Sequence, residues 1–221
     1  EDCIGYYSID REGNIIHFFI QQEWLNLSTS ILQDIIKKEN CQLGMVSTNN
    51  PAFLCASMEL AIGSAVHTYM FAHIQQDIPL MENMGKEAEL CMAEAHHEGA
   101  MVDFCHKNMG GPRQWLKGYI HRLTSQQELF FLKKKGAEVL GTCEVRKSPS
   151  QAGYADLGAV VSTEYRKQGI GTYLIQRAVE ISYKRNLIPI CSCEKTNIGS
   201  RKMIEKAGFV RNHLILEVEF G

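Results

Sequence analysis

The most constraining feature of this 221-residue sequence is a segment where an apolar strand runs into a basic loop with two glycines and then an amphipathic helix. From Val160 to Thr172 it is VVSTEYRKQGIGT. Glycines let a backbone approach a ligand closely, and the N–H groups of a first helical turn direct a positive dipole at bound phosphate. The segment therefore predicts a pyrophosphate-binding loop, with a plain glycine-containing helix start as the alternative.

Two other glycine-rich nucleotide motifs are excluded by their spacing. A P-loop ends in Gly-Lys-Ser/Thr, whereas Gly171 is followed by Thr172 and Tyr173. A dinucleotide fingerprint needs a third small residue where Leu174 stands. The loop is therefore of another kind.

The pattern Arg166-x-x-Gly169-x-Gly171 resembles the acyl-CoA-binding loop of the GNAT superfamily of N-acyltransferases. A second block agrees with it: CEKTNIGS at 193–200, followed by AGF at 207–209, is similar to the family's strand, Asn-x-x-Ala/Ser helix start and Gly-Phe turn. The resemblance covers roughly residues 84–221. It implies an α/β (α+β) fold with a mixed, mostly antiparallel twisted sheet flanked by helices, and acetyl-CoA as the acyl donor.

The resemblance also implies which residues hold acetyl-CoA. The end of the strand, at Ala159, Val160 and Val161, would pair with the pantetheine arm. The pyrophosphate would be held by the glycines and nearby N–H groups at Gln168, Gly169, Ile170, Gly171 and Thr172, with the cations Arg166 and Lys167 beside the phosphates. The helix-start residues Asn197 and Ser200 would contact the lower pantetheine or only cap their helix.

The chemistry implied is direct attack of a neutral amine on the thioester, with backbone donors stabilising the oxyanion and a base removing the ammonium proton. Glu144 and Asp156 on the central strands are the candidate catalytic bases, and Glu194 beside the cleft is a third; each also has a structural or solvated interpretation. The tyrosine acid of many relatives has no counterpart here, because Ile204 stands at its position.

The domain organisation predicted is an N-terminal α/β extension over residues 1–80 and a transferase domain over residues 81–221, with the boundary at the polar, proline-containing residues 75–79. Within the second part, the patterns predict helices over 86–104 and 113–123 before the first strand at 128–133. In the extension, the order strand, Thr-Asn, helix, Gly, strand echoes residues 191–220. This echo indicates a degenerate half-copy that walls the acceptor cleft or forms a dimer surface, or it is coincidence.

The charge of the chain is uneven, with a net −10 over residues 1–110 and +8 over residues 111–221. A basic half suits a polyanionic cofactor and an acidic half suits a cationic substrate, although solvated surface charge explains both equally simply. The basic run at 133–135 has the character of a hairpin tip, so no nucleic-acid partner is expected. Without a bilayer-length apolar stretch or a secretory pattern, the sequence predicts a soluble cytoplasmic protein with no membrane partner.

The eight cysteines are expected to be reduced and buried, because they lie in apolar periodic segments. On this view Cys143, Cys191 and Cys193 are core residues and not nucleophiles. A looser cluster lacks paired-ligand spacing, so no metal is expected. It consists of Cys91, His96, His97, Cys105 and His106.

The function predicted from these observations is transfer of an acetyl group from acetyl-CoA to the primary amine of a small cationic molecule, by a monomer or a homodimer. Two alternatives stay open. One is protein or peptide N-acetylation, and the other is a non-catalytic acyl-CoA sensor, which the isoleucine at position 204 motivates.

Overall fold

The computed structural model describes residues 3–74, 88–134 and 138–221. The strands are β1 (Gly5–Ile9), β2 (Ile15–Ile20), β3 (Leu43–Ser47), β4 (Ala61–His73), β5 (Ala88–Met92), β6 (Leu129–Lys134), β7 (Val139–Lys147), β8 (Tyr154–Val161), β9 (Ile188–Glu194) and β10 (Phe209–Phe220). The helices are α1 (Ser28–Glu39), α2 (Pro51–Leu60), α3 (Glu98–Met109), α4 (Arg113–Ser125), α5 (Ile170–Lys184) and α6 (Ile198–Lys206).

The strands follow the order β1-β2-β3-β10-β4-β9-β8-β7-β6-β5. Parallel pairing joins β2 to β3 and β8 to β9. Antiparallel pairing joins β1 to β2, β3 to β10, β5 to β6, β6 to β7 and β7 to β8. The predicted fold class, a mixed and mostly antiparallel sheet flanked by helices, is confirmed.

The chain divides into two compact units by its internal contacts. The first contains the residues up to Met70 together with Ser192–Ile198 and Arg211–Gly221. The second contains Phe71–Cys191 and Gly199–Val210. The sequence division into residues 1–80 and 81–221 stays a prediction, and its boundary at 75–79 lies outside the described residues.

The first unit is built on the predicted hairpin β1–β2 and on two helices. The start of α2 forms as the sequence indicates, because the Asn50 side chain accepts a hydrogen bond from the Phe53 N–H at 3.1 Å and Pro51 occupies the first turn. Its core includes Leu32 and Val46, which are fully buried. The unit therefore has a hydrophobic core of its own.

The second unit carries helices on both faces of its strands. Helices α3 and α4 bury a cluster that includes Met101, Leu116 and Leu123 against β6. Helix α5 packs on β7 and β8 through buried residues such as Leu174 and Ala178. This arrangement leaves the carboxyl end of β8 and the start of α5 side by side.

The helix predicted over 86–104 is wrong in its first part. Ala88–Met92 form the strand β5, which pairs antiparallel with β6, and α3 begins only at Glu98. The segment is rich in Ala, Glu, Leu and Met, which favour helices, but pairing with the edge of β6 overrides that weak local preference. A capping box between Glu94 and His97 then starts a short 3₁₀ turn that leads into α3.

No helix in the described ranges is both long and apolar enough to cross a membrane. The cellular location predicted from the sequence stays a prediction.

Candidate active site

The end of β8 has one paired edge and one open edge. Its ladder with β9 runs from Tyr154↔Ile188 to Asp156↔Ile190, whereas its ladder with β7 continues to Val161↔Gly141. In the described part of the chain, residues 157–161 therefore have strand partners only in β7.

The direction of the backbone groups along this open edge follows from one hydrogen bond. The Ser162 N–H donates to the Leu140 carbonyl at 3.0 Å, towards β7. Because successive residues of a strand alternate their hydrogen-bonding edge, Ala159 and Val161 direct their backbone groups to the open edge, and Val160 directs its own towards β7. Two of the three residues predicted to pair with pantetheine thus present backbone groups at the open edge, where the Val161 carbonyl also accepts from Arg166 Nε at 3.4 Å.

The glycine loop turns the chain from β8 into α5. Lys167 and Gly169 both have positive φ, at 64° and 85°, and the first helical hydrogen bond runs from the Tyr173 N–H to the Gly169 carbonyl at 3.0 Å. The first-turn N–H groups of Ile170, Gly171 and Thr172 lack helical acceptors, and Gly169 has no side chain with which to cap them. This helix start has the donors and the dipole that bind an anion.

The loop is tied to the last turn of α3 by a residue that the sequence analysis missed. The buried Asn108 accepts a hydrogen bond from the Thr163 N–H on its side-chain oxygen at 2.8 Å. Its backbone carbonyl accepts from Arg166 Nη2 at 2.7 Å. Lys107 adds an exposed ion pair with Glu164 at 3.0 Å. No local motif marks Asn108, because its partners in the loop lie more than fifty residues away in sequence.

Arg166 and Gly171 have structural partners besides the expected phosphate. Arg166 Nε lies 3.4 Å from the Val161 carbonyl, so the side chain spans from β8 to α3, and its role beside the phosphates stays a prediction. A Cβ atom on Gly171 would lie 2.5 Å from Met203 Sδ in α6. The second glycine of the motif therefore permits close packing of α5 on α6.

A cavity of about 210 Å³ lies between α3, α4 and the strands β6–β8. Its walls include Met109 and Trp115, which are each 53% exposed, and residues 158–160 of β8. The remaining lining residues are Cys105, Leu116, Tyr119, Ile120, Leu123, Leu129, Thr142, Cys143 and Glu144. The cavity thus borders the open end of β8.

Glu144 is the acidic residue of this cavity, and its carboxylate is held from two sides. The Tyr119 hydroxyl donates to Glu144 Oε2 at 2.5 Å, and Arg146 Nε lies 3.2 Å from Oε1. Opposite Glu144 stands Gly158, where a Cβ atom would lie 2.5 Å from Oε1. Burial first, and then the Glu144 charge, raise the pKa of Tyr119, so its phenol stays protonated and remains a donor.

Tyr119 was not predicted from the sequence, although one signal was present. On β7, Thr142, Glu144 and Arg146 alternate with Cys143 and Val145, so one face of a central strand is polar. Strands covered by helices on both sides are usually apolar on both faces. Polar residues on a covered face indicate a site, and the helix above it supplies their partner.

The other candidate residues lie elsewhere. Asp156 lies on β8, opposite Arg146 of β7, and is absent from the cavity lining. The exposed Glu194 accepts from Thr196 Oγ1 at 3.5 Å. Asn197 and Ser200 lie at the start of α6, and Ile204 is buried at 3% exposure. The role of each stays a prediction.

The cysteines form no disulfide in the described ranges, but their predicted burial is wrong for two of them. Cys3 and Cys55 are exposed, since neither faces the core of its unit. Burial raises the pKa of Cys143 to about 12 and that of Cys105 to about 11, so both thiols are protonated and unreactive at neutral pH. Among the residues that the structure covers, no cluster of three or more His, Cys, Asp or Glu side chains could hold a metal.

Comparison with known families gives a direct assignment. Residues 86–209, more than half of the chain, match the model of the family described as "Acetyltransferase (GNAT) family". The chain belongs to the GNAT acetyltransferase family. Residues 1–74 match a second model, described as "Acetyltransferase (GNAT) domain". The resemblance inferred from the loop motif is therefore confirmed, and a second GNAT match precedes it.

Individual relatives of this GNAT chain are distant. The Uncharacterized N-acetyltransferase YjdG of Bacillus subtilis (strain 168) is 27% identical over 84 residues, which cover 37% of this chain and 50% of that protein. The match thus spans half the length of this curated relative.

Solved structures of similar fold cover the whole chain. An acetyltransferase of the GNAT family from Colwellia psychrerythraea has a TM-score of 0.91 at 24% identity and covers 100% of this chain and 82% of its own. A GCN5-related N-acetyltransferase from Sphaerobacter thermophilus has a TM-score of 0.73 at 12% identity, with coverages of 98% and 76%. At these identities the two structures show a common fold.

Proposed function

We propose that this GNAT chain transfers an acetyl group from acetyl-CoA to the primary amine of a small molecule by direct attack. The observation that supports this most is the open edge of β8 at Ala159 and Val161, which the glycine loop joins to an uncapped helix start and which borders the cavity that holds Glu144. This part of the protein thus combines a strand edge with free hydrogen-bond donors, a helix start suited to an anion, and a carboxylate.

The residues present fit acetyl-CoA in polarity and order. The backbone groups of Ala159 and the Val161 N–H would pair with the amides of the pantetheine arm. The first-turn N–H groups of α5 would bind the pyrophosphate, with Lys167 exposed beside them. Acetyl-CoA supplies an activated acyl group as its thioester.

Glu144 is the proposed base. Its carboxylate lines the cavity next to β8 and would accept the proton that the amine loses. The Tyr119 phenol and the Arg146 guanidinium hold it in place. Open-edge N–H groups of β8 would stabilise the oxyanion. Asp156 remains the second candidate, on the same strand pair but outside the cavity.

Residues 1–80 are proposed to be a GNAT-like extension that does not bind acetyl-CoA. Residues 1–80 contain no Arg-x-x-Gly-x-Gly pattern, so the extension lacks the loop that would bind the pyrophosphate. The extension would serve as an acceptor-side wall or as a dimer surface.

The test is release of CoA thiol from acetyl-CoA in the presence of an amine panel, with two matched amide variants. Glu144→Gln should lower kcat by about 10²- to 10⁴-fold, the usual contribution of a general base, and leave acetyl-CoA affinity unchanged. Asp156→Asn should stay near the wild-type rate. If Asp156→Asn alone loses activity, the base assignment is wrong.

Calorimetric titration with acetyl-CoA separates the remaining outcomes. Binding without thiol release from any amine would favour the sensor function. Absence of binding would overturn the donor assignment itself.

A further inference from the structure

The charge inventory of the cavity limits which amine it suits. Of the described residues that line it, Glu144 alone carries a carboxylate, and Arg146 Nε lies 3.2 Å from this group. One carboxylate matches one ammonium group. A second ammonium on the same molecule would find no second carboxylate among the lining residues.

The charges just outside the lining oppose a polycation further. The Arg122 Cζ atom lies 5.2 Å from the centroid of the Tyr119 ring, and Arg146 Nε lies 3.2 Å from Glu144 Oε1. Two further carboxylates, on or beside the strands of the cavity, are absent from the lining. Asp156 lies opposite Arg146 in the β7–β8 ladder. Glu128 is 5% exposed, accepts from the Lys147 N–H at 2.8 Å and lies 3.6 Å from Arg122.

The walls of the cavity are apolar and, on one side, flat. Trp115 stacks on Tyr119 with ring centroids 4.8 Å apart and an interplanar angle of 12°. Leu116 and Leu123 continue the apolar surface inward along α4. A planar or aliphatic group would bury its apolar surface here, whereas a second ammonium group would lose hydration without a second carboxylate in the described lining.

We propose that the acceptor is a small monoamine with an apolar body, aromatic or aliphatic, held between the Trp115–Tyr119 wall and the open end of β8 with its nitrogen at Glu144. This inference rests on the proposed function, because it names the acceptor of the same site. It narrows the small cationic acceptor predicted from charge to one that carries a single charge.

Matched substrates test the charge argument. Hexylamine and 1,6-diaminohexane have the same length and differ by one terminal ammonium. Hexylamine and 2-phenylethylamine should have kcat/KM values at least tenfold above those of 1,6-diaminohexane and spermidine. Along the series from propylamine to hexylamine, each added methylene should raise kcat/KM by about fourfold, the gain expected from burying one CH₂ group.

A pair of variants on α4 tests the location. Trp115 is exposed enough for Trp115→Ala to fold, and this change should lower kcat/KM for 2-phenylethylamine by about tenfold or more while leaving acetyl-CoA affinity unchanged. Lys117→Ala, an exposed position of the same helix outside the lining, should match the wild type.

The outcomes separate this inference from the function on which it rests. Equal or faster turnover of 1,6-diaminohexane, spermidine or a peptide α-amine would overturn the acceptor class and leave the transferase intact. Unchanged kinetics in Trp115→Ala would overturn the location. Acetyl-CoA binding without turnover of any amine would overturn the proposed function and the acceptor inference together.

Discussion

Replacement of Gly169 by alanine tests the phosphate-binding role of the α5 start. Gly169 has φ of 85°, where an L-residue is strained by roughly 1–2 kcal/mol. Gly153→Ala is the matched control, since Gly153 has φ of 84° and open space where the Cβ would lie. Both variants should lose about 1–2 kcal/mol of unfolding free energy in urea titrations.

Only Gly169→Ala should weaken acetyl-CoA binding. Relief of the strain turns the peptide that leads into α5 and misaligns a first-turn N–H group. A hydrogen bond to a charged group contributes about 1.5–3 kcal/mol, so loss of one weakens binding by about tenfold to a hundredfold. Isothermal titration calorimetry at fixed ionic strength measures this. Equal dissociation constants for the two variants, with equal losses of stability, would refute the role assigned to this helix start.

Three further predictions follow from buried contacts. In Gly158→Ala the new Cβ would lie 2.5 Å from Glu144 Oε1 and displace the carboxylate, so kcat for the amine should fall by about tenfold or more at unchanged acetyl-CoA affinity in steady-state kinetics; an unaltered kcat would contradict the position of the base. At pH 8 iodoacetamide should label the exposed Cys55 and spare Cys143, because burial raises the pKa of the Cys143 thiol to about 12. Peptide mass spectrometry measures the two labelling rates, and equal rates would contradict this prediction. Burial lowers the pKa of His73, so as the pH falls the unfolded chain binds a proton before the folded chain does, and the free energy of unfolding decreases as the pH drops through about 6.5. In urea titrations, His73→Gln should reduce the loss of unfolding free energy between pH 7.5 and 5.5 by up to about 1.4 kcal/mol. The same loss in the variant and the wild type would argue against this assignment.

The parts of the site that could be predicted from the sequence are those made within one segment. The loop from Arg166 to Gly171 was predictable because glycine positions and helix starts depend on local backbone preferences. Glu144 was a candidate because it lies on a central strand. Its partner Tyr119 was not, because their hydrogen bond joins residues 25 positions apart on different elements.

The strand β5 was missed for the same reason, because its pairing partner is distant in sequence. Ala88–Met92 has the composition of a helix, and only pairing with β6, some forty residues later, makes it a strand. Arg166 shows what a local motif leaves out. Its motif indicates phosphate, and its guanidinium also reaches the carbonyls of Val161 and Asn108, contacts that no local pattern indicates.

The tie between Asn108 and the glycine loop bears on the thermodynamics of cofactor association. With the Thr163 N–H and the Arg166 side chain already fixed on α3, the loop holds its shape before a ligand arrives. Fixing the backbone of one residue costs about 1–2 kcal/mol of conformational entropy. In this loop the cost is met when the protein folds, so acetyl-CoA binds to a loop that is already ordered. Asn108→Ala would shift this entropy to the binding step, so acetyl-CoA affinity should fall about tenfold per residue released while the bound complex keeps the same contacts.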